Sequence, residues 1–169
     1  SSRIYLVACL VCQKMETMNR KTMKPSAAAN ADAIHLRELK KLVAEGEGLQ
    51  LEFKRKAAYP EKIVRELIAL ANTEGGTLLI GIDDDKSIPG VKYPDEEVHV
   101  VREWLTKYCK PPLAYHESVI SLSENRFVVR FDVPPSSKRP HYLNLEKGIR
   151  STFVRVHDMS IKASAEMEE

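Results

Sequence analysis

The sequence predicts an α+β fold, a single compact domain whose mixed, largely antiparallel sheet is flanked by helices and preceded by a flexible amino-terminal segment. Three observations predict it. Apolar residues return at helical spacing in three stretches, alternate or run together over a few residues in several others, and never settle into strict strand–helix alternation. A length of 169 residues suits one domain with tails. We place that domain at residues 32–163, between a flexible segment at 1–31 and a tail at 164–169.

Ile4 to Cys12 is an apolar run too short to span a bilayer, and it lacks much of the basic region of a secretory signal. Leu6-Val7-Ala8-Cys9 resembles a lipobox with few residues before it, and a start at Met15, Met18 or Met23 would make this segment dispensable. Lys14 to Asp32 has no periodicity and reads as a basic arm. Asp32 is placed to cap a helix on which Ile34, Leu36, Leu39, Leu42 and Val43 share a face, ending near Gly46 and Gly48.

Leu49, Leu51 and Phe53 alternate with Gln50, Glu52 and Lys54, which predicts a half-buried strand with Glu52 and Lys54 side by side. Pro60 opens a second helix with Ile63, Val64, Leu67, Ile68 and Ala71 on its apolar face. Thr77 to Ile82 reads as a buried strand ending in an acidic turn. Asp95 is the expected cap of a third helix with Val98, Val101, Trp104, Leu105 and Tyr108 as core, stopped by Pro111-Pro112. His116 to Leu122 and Phe127 to Val133 form a hairpin through Glu124-Asn125, a loop follows from Pro134 to Pro140, and Ser151 to Val156 is the last expected strand.

Hydrophobic residues make up 43% and charged residues 30%, values of a chain that folds rather than one that stays disordered. The net charge of +2 admits a nucleic-acid partner without arguing for one. Cys9, Cys12 and Cys109 are an odd set, which argues for a reducing, cytoplasmic compartment rather than a disulfide framework. Cys9 and Cys12 have the spacing of half a zinc site, but no second pair of ligands follows. Gly75-Gly76 and Gly81 belong to no phosphate-binding fingerprint and read as a helix end and the flanks of a buried strand.

Glu47-Gly-Leu-Gln-Leu-Glu52-Phe53-Lys54 is followed by Ala71-Asn72-Thr73-Glu74-Gly75-Gly76 and by Leu78 to Gly81, Ile82 and Asp83. Further on stand Val133-Pro134-Pro135-Ser136-Ser137, Arg139-Pro140-His141-Tyr142-Leu143 and Phe153-Val154-Arg155-Val156. In this order the motifs, spanning Glu45 to Ala163, resemble the Schlafen-type AlbA-like domain. His157 departs from the pattern, because the family usually has Gly there and a permissive backbone with it.

The resemblance implies a nucleic-acid-binding module, with DNA or RNA as partner, no membrane, and roles such as transcriptional regulation; a homodimer is compatible with it. It also implies an alternative, because Schlafen proteins with ribonuclease activity use an acidic trio whose matching positions are Glu47, Glu52 and Asp83. Such carboxylates would suit Mg²⁺ or Mn²⁺ and hydrolysis of a phosphodiester, with Lys54 beside the phosphate and Asp84 or Asp85 as substitutes for Asp83. Against that stands the plain reading of Glu52 and Lys54 as strand-face neighbours and of the aspartates as turn residues. The candidate phosphate contacts are Lys54, Arg55, Lys56, Lys138, Arg139, Arg155 and Lys162, with Arg150 beside them. A protein-interaction scaffold is the third reading.

Overall fold

The structure, a computed structural model, describes residues 27–163. The amino-terminal apolar run, Cys9 and Cys12, the candidate starts at Met15, Met18 and Met23 and the tail at 164–169 lie outside the described residues. The chain divides into two units, residues 1–34 and 35–169, and the described part of the first is helical. Among the described residues, no helix is long and apolar enough to cross a membrane.

The first helix, α1 (Ala27–Glu45), begins before the expected cap, so Asp32 stands inside it. Ala27, Ala28 and Ala29 explain the extension, since alanine is the best helix former and the run needs no cap at Asp32. Strand β1 (Leu51–Lys54) leads into α2 (Pro60–Asn72) and β2 (Gly76–Ile80). Then come α3 (Pro94–Tyr108), β3 (Cys109–Lys110), β4 (His116–Ser123), β5 (Arg126–Val133), β6 (Tyr142–Leu143), β7 (Ser151–Val156) and β8 (Met159–Lys162). α3 also starts ahead of its expected cap: Tyr93 holds that position without a side-chain bond, and Asp95 sits in the first turn, where the helix dipole favours its charge.

Two four-stranded sheets form, where the sequence suggested one. The first has the order β1-β2-β5-β4, with β1 and β2 parallel and the other pairs antiparallel. The second has the order β3-β6-β7-β8 and is antiparallel throughout. Its last strand, β8, follows a tight turn at His157, whose φ of 55° is the left-handed conformation that glycine would adopt without strain.

Strand alternation divides the core around the first sheet. Leu51, Phe53, Leu79, Ile120 and Val128 face one way and pack with Leu39 and Val43 of α1, flanked by Leu36 and Leu42. Leu78, Ile80, Val129 and Phe131 face the other way and pack against α2, α3 and Leu143 and Phe153 of the second sheet. Trp104 and Tyr108 lean on that core. Gly75, at φ 74°, lets the chain turn from α2 into β2 where a Cβ would meet the Val133 carbonyl oxygen at 2.6 Å.

Cys109 closes the second core, and burial pushes its thiol up to about 11. Iodoacetamide at pH 8, read peptide by peptide, is therefore expected to leave Cys109 unmodified in the folded protein and to alkylate it in urea. Equal labelling in both states would contradict its burial.

Candidate functional site

Because Leu51 and Phe53 point toward α1, the period of two sends Glu52 and Lys54 to the opposite face of β1. That face is largely covered. α2 supplies Glu66 and β7 supplies Arg155, and four charged side chains meet there, Glu52 and Arg155 buried and Lys54 and Glu66 half-buried.

Arg155 is the centre of the group, with 0% of its side chain exposed. Its Nη1 lies 2.6 Å from Glu52 Oε2 and donates to Glu66 Oε2 at 2.9 Å and to Ser160 Oγ at 3.2 Å. Its Nε and Nη2 donate to the Gly48 carbonyl at 3.1 and 2.9 Å, and Nη2 also reaches the Leu51 carbonyl at 3.1 Å. A guanidinium offers five donors in a fixed fork, and here they join β7 to β1, to the loop before β1 and to α2.

Lys54 Nζ donates to Glu52 Oε1 at 2.6 Å and lies 3.7 Å from Glu66 Oε1. Burial depresses its ammonium, but the bond to Glu52 and the charges of Glu52, Glu66 and Glu47 outweigh that, so its pKa is raised. Glu47 Oε1 accepts the Phe53 amide at 2.9 Å. Desolvation raises the Glu47 pKa, the Phe53 amide opposes it, and the nearby Glu52 carboxylate adds to the rise.

Glu47 lies beside Glu52, and Asp83 has partners of its own. It occupies the turn after β2, pairs with Arg55 Nε at 3.6 Å, and its backbone exchanges bonds with Ser87 and Lys86. Both Glu52 oxygens are already matched to cations, and among the described residues no three His, Cys, Asp or Glu side chains converge as metal ligands. As arranged, Glu47, Glu52 and Asp83 do not fit Mg²⁺ or Mn²⁺; Arg155 and Lys54 supply the positive charge that a metal would bring.

The candidate cations separate into two kinds. Arg155 and Lys54, expected at the surface, are committed to buried or half-buried carboxylates. Lys56, Lys138, Arg139 and Lys162 are exposed and make no ion pair among the described residues. Arg55 is intermediate, bonded to the Gly90 carbonyl at 2.7 Å as well as near Asp83. Lys56 follows the carboxyl end of β1, whereas Lys138 and Arg139 lie in the loop after Val133, which pairs with Gly76 at the amino end of β2. These loops stand at opposite ends of the β1/β2 pair.

Two residues beyond the predicted set brace the site. Asn72 Nδ2 donates to the His141 and Phe153 carbonyls at 2.9 and 3.0 Å, and its Oδ1 accepts the His141 amide at 2.7 Å. The buried His141 ring contacts the Pro111 carbonyl through Nδ1 at 2.8 Å. A carbonyl only accepts, so Nδ1 donates to it, and Nε2 shares a hydrogen bond with Ser136 Oγ at 2.5 Å. This fixes the start of the loop that presents Lys138, and Arg139 Nη1 anchors its far side on the Thr73 carbonyl at 2.9 Å. Asn72 and His141 lay within the recognised motifs, but their pairing across 69 residues had no local signal. Glu66 had none either, since it stands off the apolar stripe of α2.

The sequence model described as Schlafen, AlbA_2 matches residues 47–164. No curated protein matches the chain. Among solved structures, the chain is similar to the solution NMR structure of the N-terminal domain of an ATP-dependent DNA helicase RecG-related protein from Nitrosomonas europaea. The identity is 21% and the TM-score 0.51, covering 75% of this chain and 90% of that chain, a likeness of fold.

Removing the Arg155 guanidinium leaves the buried Glu52 and half-buried Glu66 beside one lysine. Arg155→Ala is expected to lower unfolding free energy by about 3–5 kcal/mol in urea titrations. Arg155→Lys should recover only part, because an ammonium cannot fork to Gly48, Leu51 and the carboxylates together.

Glu47 yields a pH test. Its folded pKa is raised, so its favourable contribution is present below the unfolded value and lost as pH rises through the folded one. Glu47→Gln should therefore melt above wild type at pH 7, with the gap closing below about pH 4, where both side chains are neutral.

Proposed function

The chain belongs to the Schlafen, AlbA_2 family, and on that premise we propose that it binds nucleic acid, DNA or RNA, through phosphate contacts from its exposed basic loops. The observation that carries this reading is the division among its charges. Glu52 and Glu66 are neutralised internally by Arg155 and Lys54, whereas Lys56, Lys138, Arg139 and Lys162 face solvent without carboxylate partners among the described residues. Cations held on a braced scaffold suit backbone recognition, which positions a nucleic acid without reading its bases. The helicase name of the RecG-related protein agrees with a nucleic-acid role.

The endoribonuclease alternative would need Glu52 released from its two cations and Asp83 from Arg55. Its signature is shortening of labelled RNA with Mn²⁺ that disappears in Glu52→Gln. A scaffold with no nucleic-acid affinity would give flat titrations at low salt.

Fluorescence anisotropy against salt tests the binding reading. Affinity is expected to fall steeply as salt rises, and Lys138→Ala with Arg139→Ala to flatten the slope of log affinity against log salt by about one to two. An unchanged slope at wild-type affinity would remove that loop from the interface.

A further inference from the structure

Tyr59 and Tyr93 are 70% and 57% exposed, and among the described residues they are the only tyrosine, phenylalanine or tryptophan side chains so open to solvent. Each immediately precedes the proline that opens a helix, and their backbones agree closely, with φ −122° and ψ 78° at Tyr59 and φ −122° and ψ 76° at Tyr93.

The two positions belong to one end of the domain. Arg55 Nη1 donates to the Gly90 carbonyl at 2.7 Å, joining the segment before Tyr59 to the segment before Tyr93. The Ala57 amide donates to Glu97 Oε2 at 2.5 Å, and the Glu97 amide in turn bonds the Tyr93 carbonyl. Cations accompany both rings: Lys62 Nζ lies 5.1 Å from the Tyr59 centroid, Lys92 Nζ lies 5.4 Å from that of Tyr93, and Lys56 is exposed nearby in sequence. Asp95 and Glu96, exposed beside Tyr93, carry the opposite sign.

A lysine ammonium sits over each ring, yet rings this exposed still leave apolar surface in water that a stacked base would cover, and the lysines suit the connecting phosphates. Bases inside a duplex have no free face to offer. We propose that Tyr59 and Tyr93 form a stacking platform for single-stranded nucleic acid, with Lys56, Lys62 and Lys92 meeting its backbone. This rests on the nucleic-acid reading above and specifies the strandedness of the ligand. With Asp95 and Glu96 offsetting part of the charge, the rings contribute through stacking, so their loss weakens binding without changing its salt slope.

The test uses the full chain and a fluorescein-labelled twelve-nucleotide oligothymidylate, an abasic strand of the same length, and a duplex of the same length. Wild type should prefer oligothymidylate to both others. Tyr59→Ala and Tyr93→Ala should each weaken its binding about 5- to 150-fold with the salt slope intact, and Tyr→Phe should restore it. Circular dichroism verifies the fold, and the abasic comparison needs no variant. Equal binding of the abasic strand, or wild-type affinity in both alanine variants, overturns the platform while leaving backbone binding standing. Absence of binding to all three probes at low salt overturns both proposals.

Discussion

A single guanidinium holds the two sheets and α2 in one arrangement. Arg155 has no contact with water, so its charge is tolerable only while Glu52 and Glu66 stand against it. Its remaining donors are equally committed, to carbonyls on either side of Leu49. Shifting β7 by one residue would exchange the faces of Arg155 and Val154 and bury a half-exposed valine where the carboxylates need a cation. The register of the second sheet against the first is thereby set by electrostatics as well as by apolar packing.

That dependence alters the meaning of the acidic motif. Carboxylates at Glu47 and Glu52 invite a metal when read along the sequence, because spacing reveals proximity and not what else arrives. In the fold, Glu52 is saturated by two cations, and burial raises the pKa of its neighbour Glu47. The cations divide the same way: Arg155 and Lys54 are internal partners, and the exposed Lys56, Lys138, Arg139 and Lys162 remain for an external one.

The strand alternation that brings Glu52 beside Lys54 was legible because a period of two is local, as was the hairpin of β4 and β5. Glu66 and Arg155 were not, since their meeting depends on how α2 and β7 pack, across 89 residues of sequence. Helix starts misled for a different reason: Asp32 and Asp95 are good caps, but an alanine run and the Tyr93-Pro94 step began the helices earlier. Strand β8 was hidden by its turn, where histidine replaces the usual glycine signal yet still adopts the left-handed backbone. The exposed rings of Tyr59 and Tyr93 could not be told from core aromatics by sequence.

The contact between Arg155 and Gly48 spans 107 residues, which has a bearing on how the protein is made. At the usual 5–20 residues per second of synthesis, roughly 5–20 seconds separate the appearance of these two positions. During that interval Glu52 and Glu66 have no arginine to neutralise them and remain hydrated. Those charges discourage the nascent β1 from recruiting a neighbouring chain, as charged residues do on unpaired strands. The group that fastens the finished domain thus begins as protection against aggregation, until the strand bearing Arg155 leaves the ribosome.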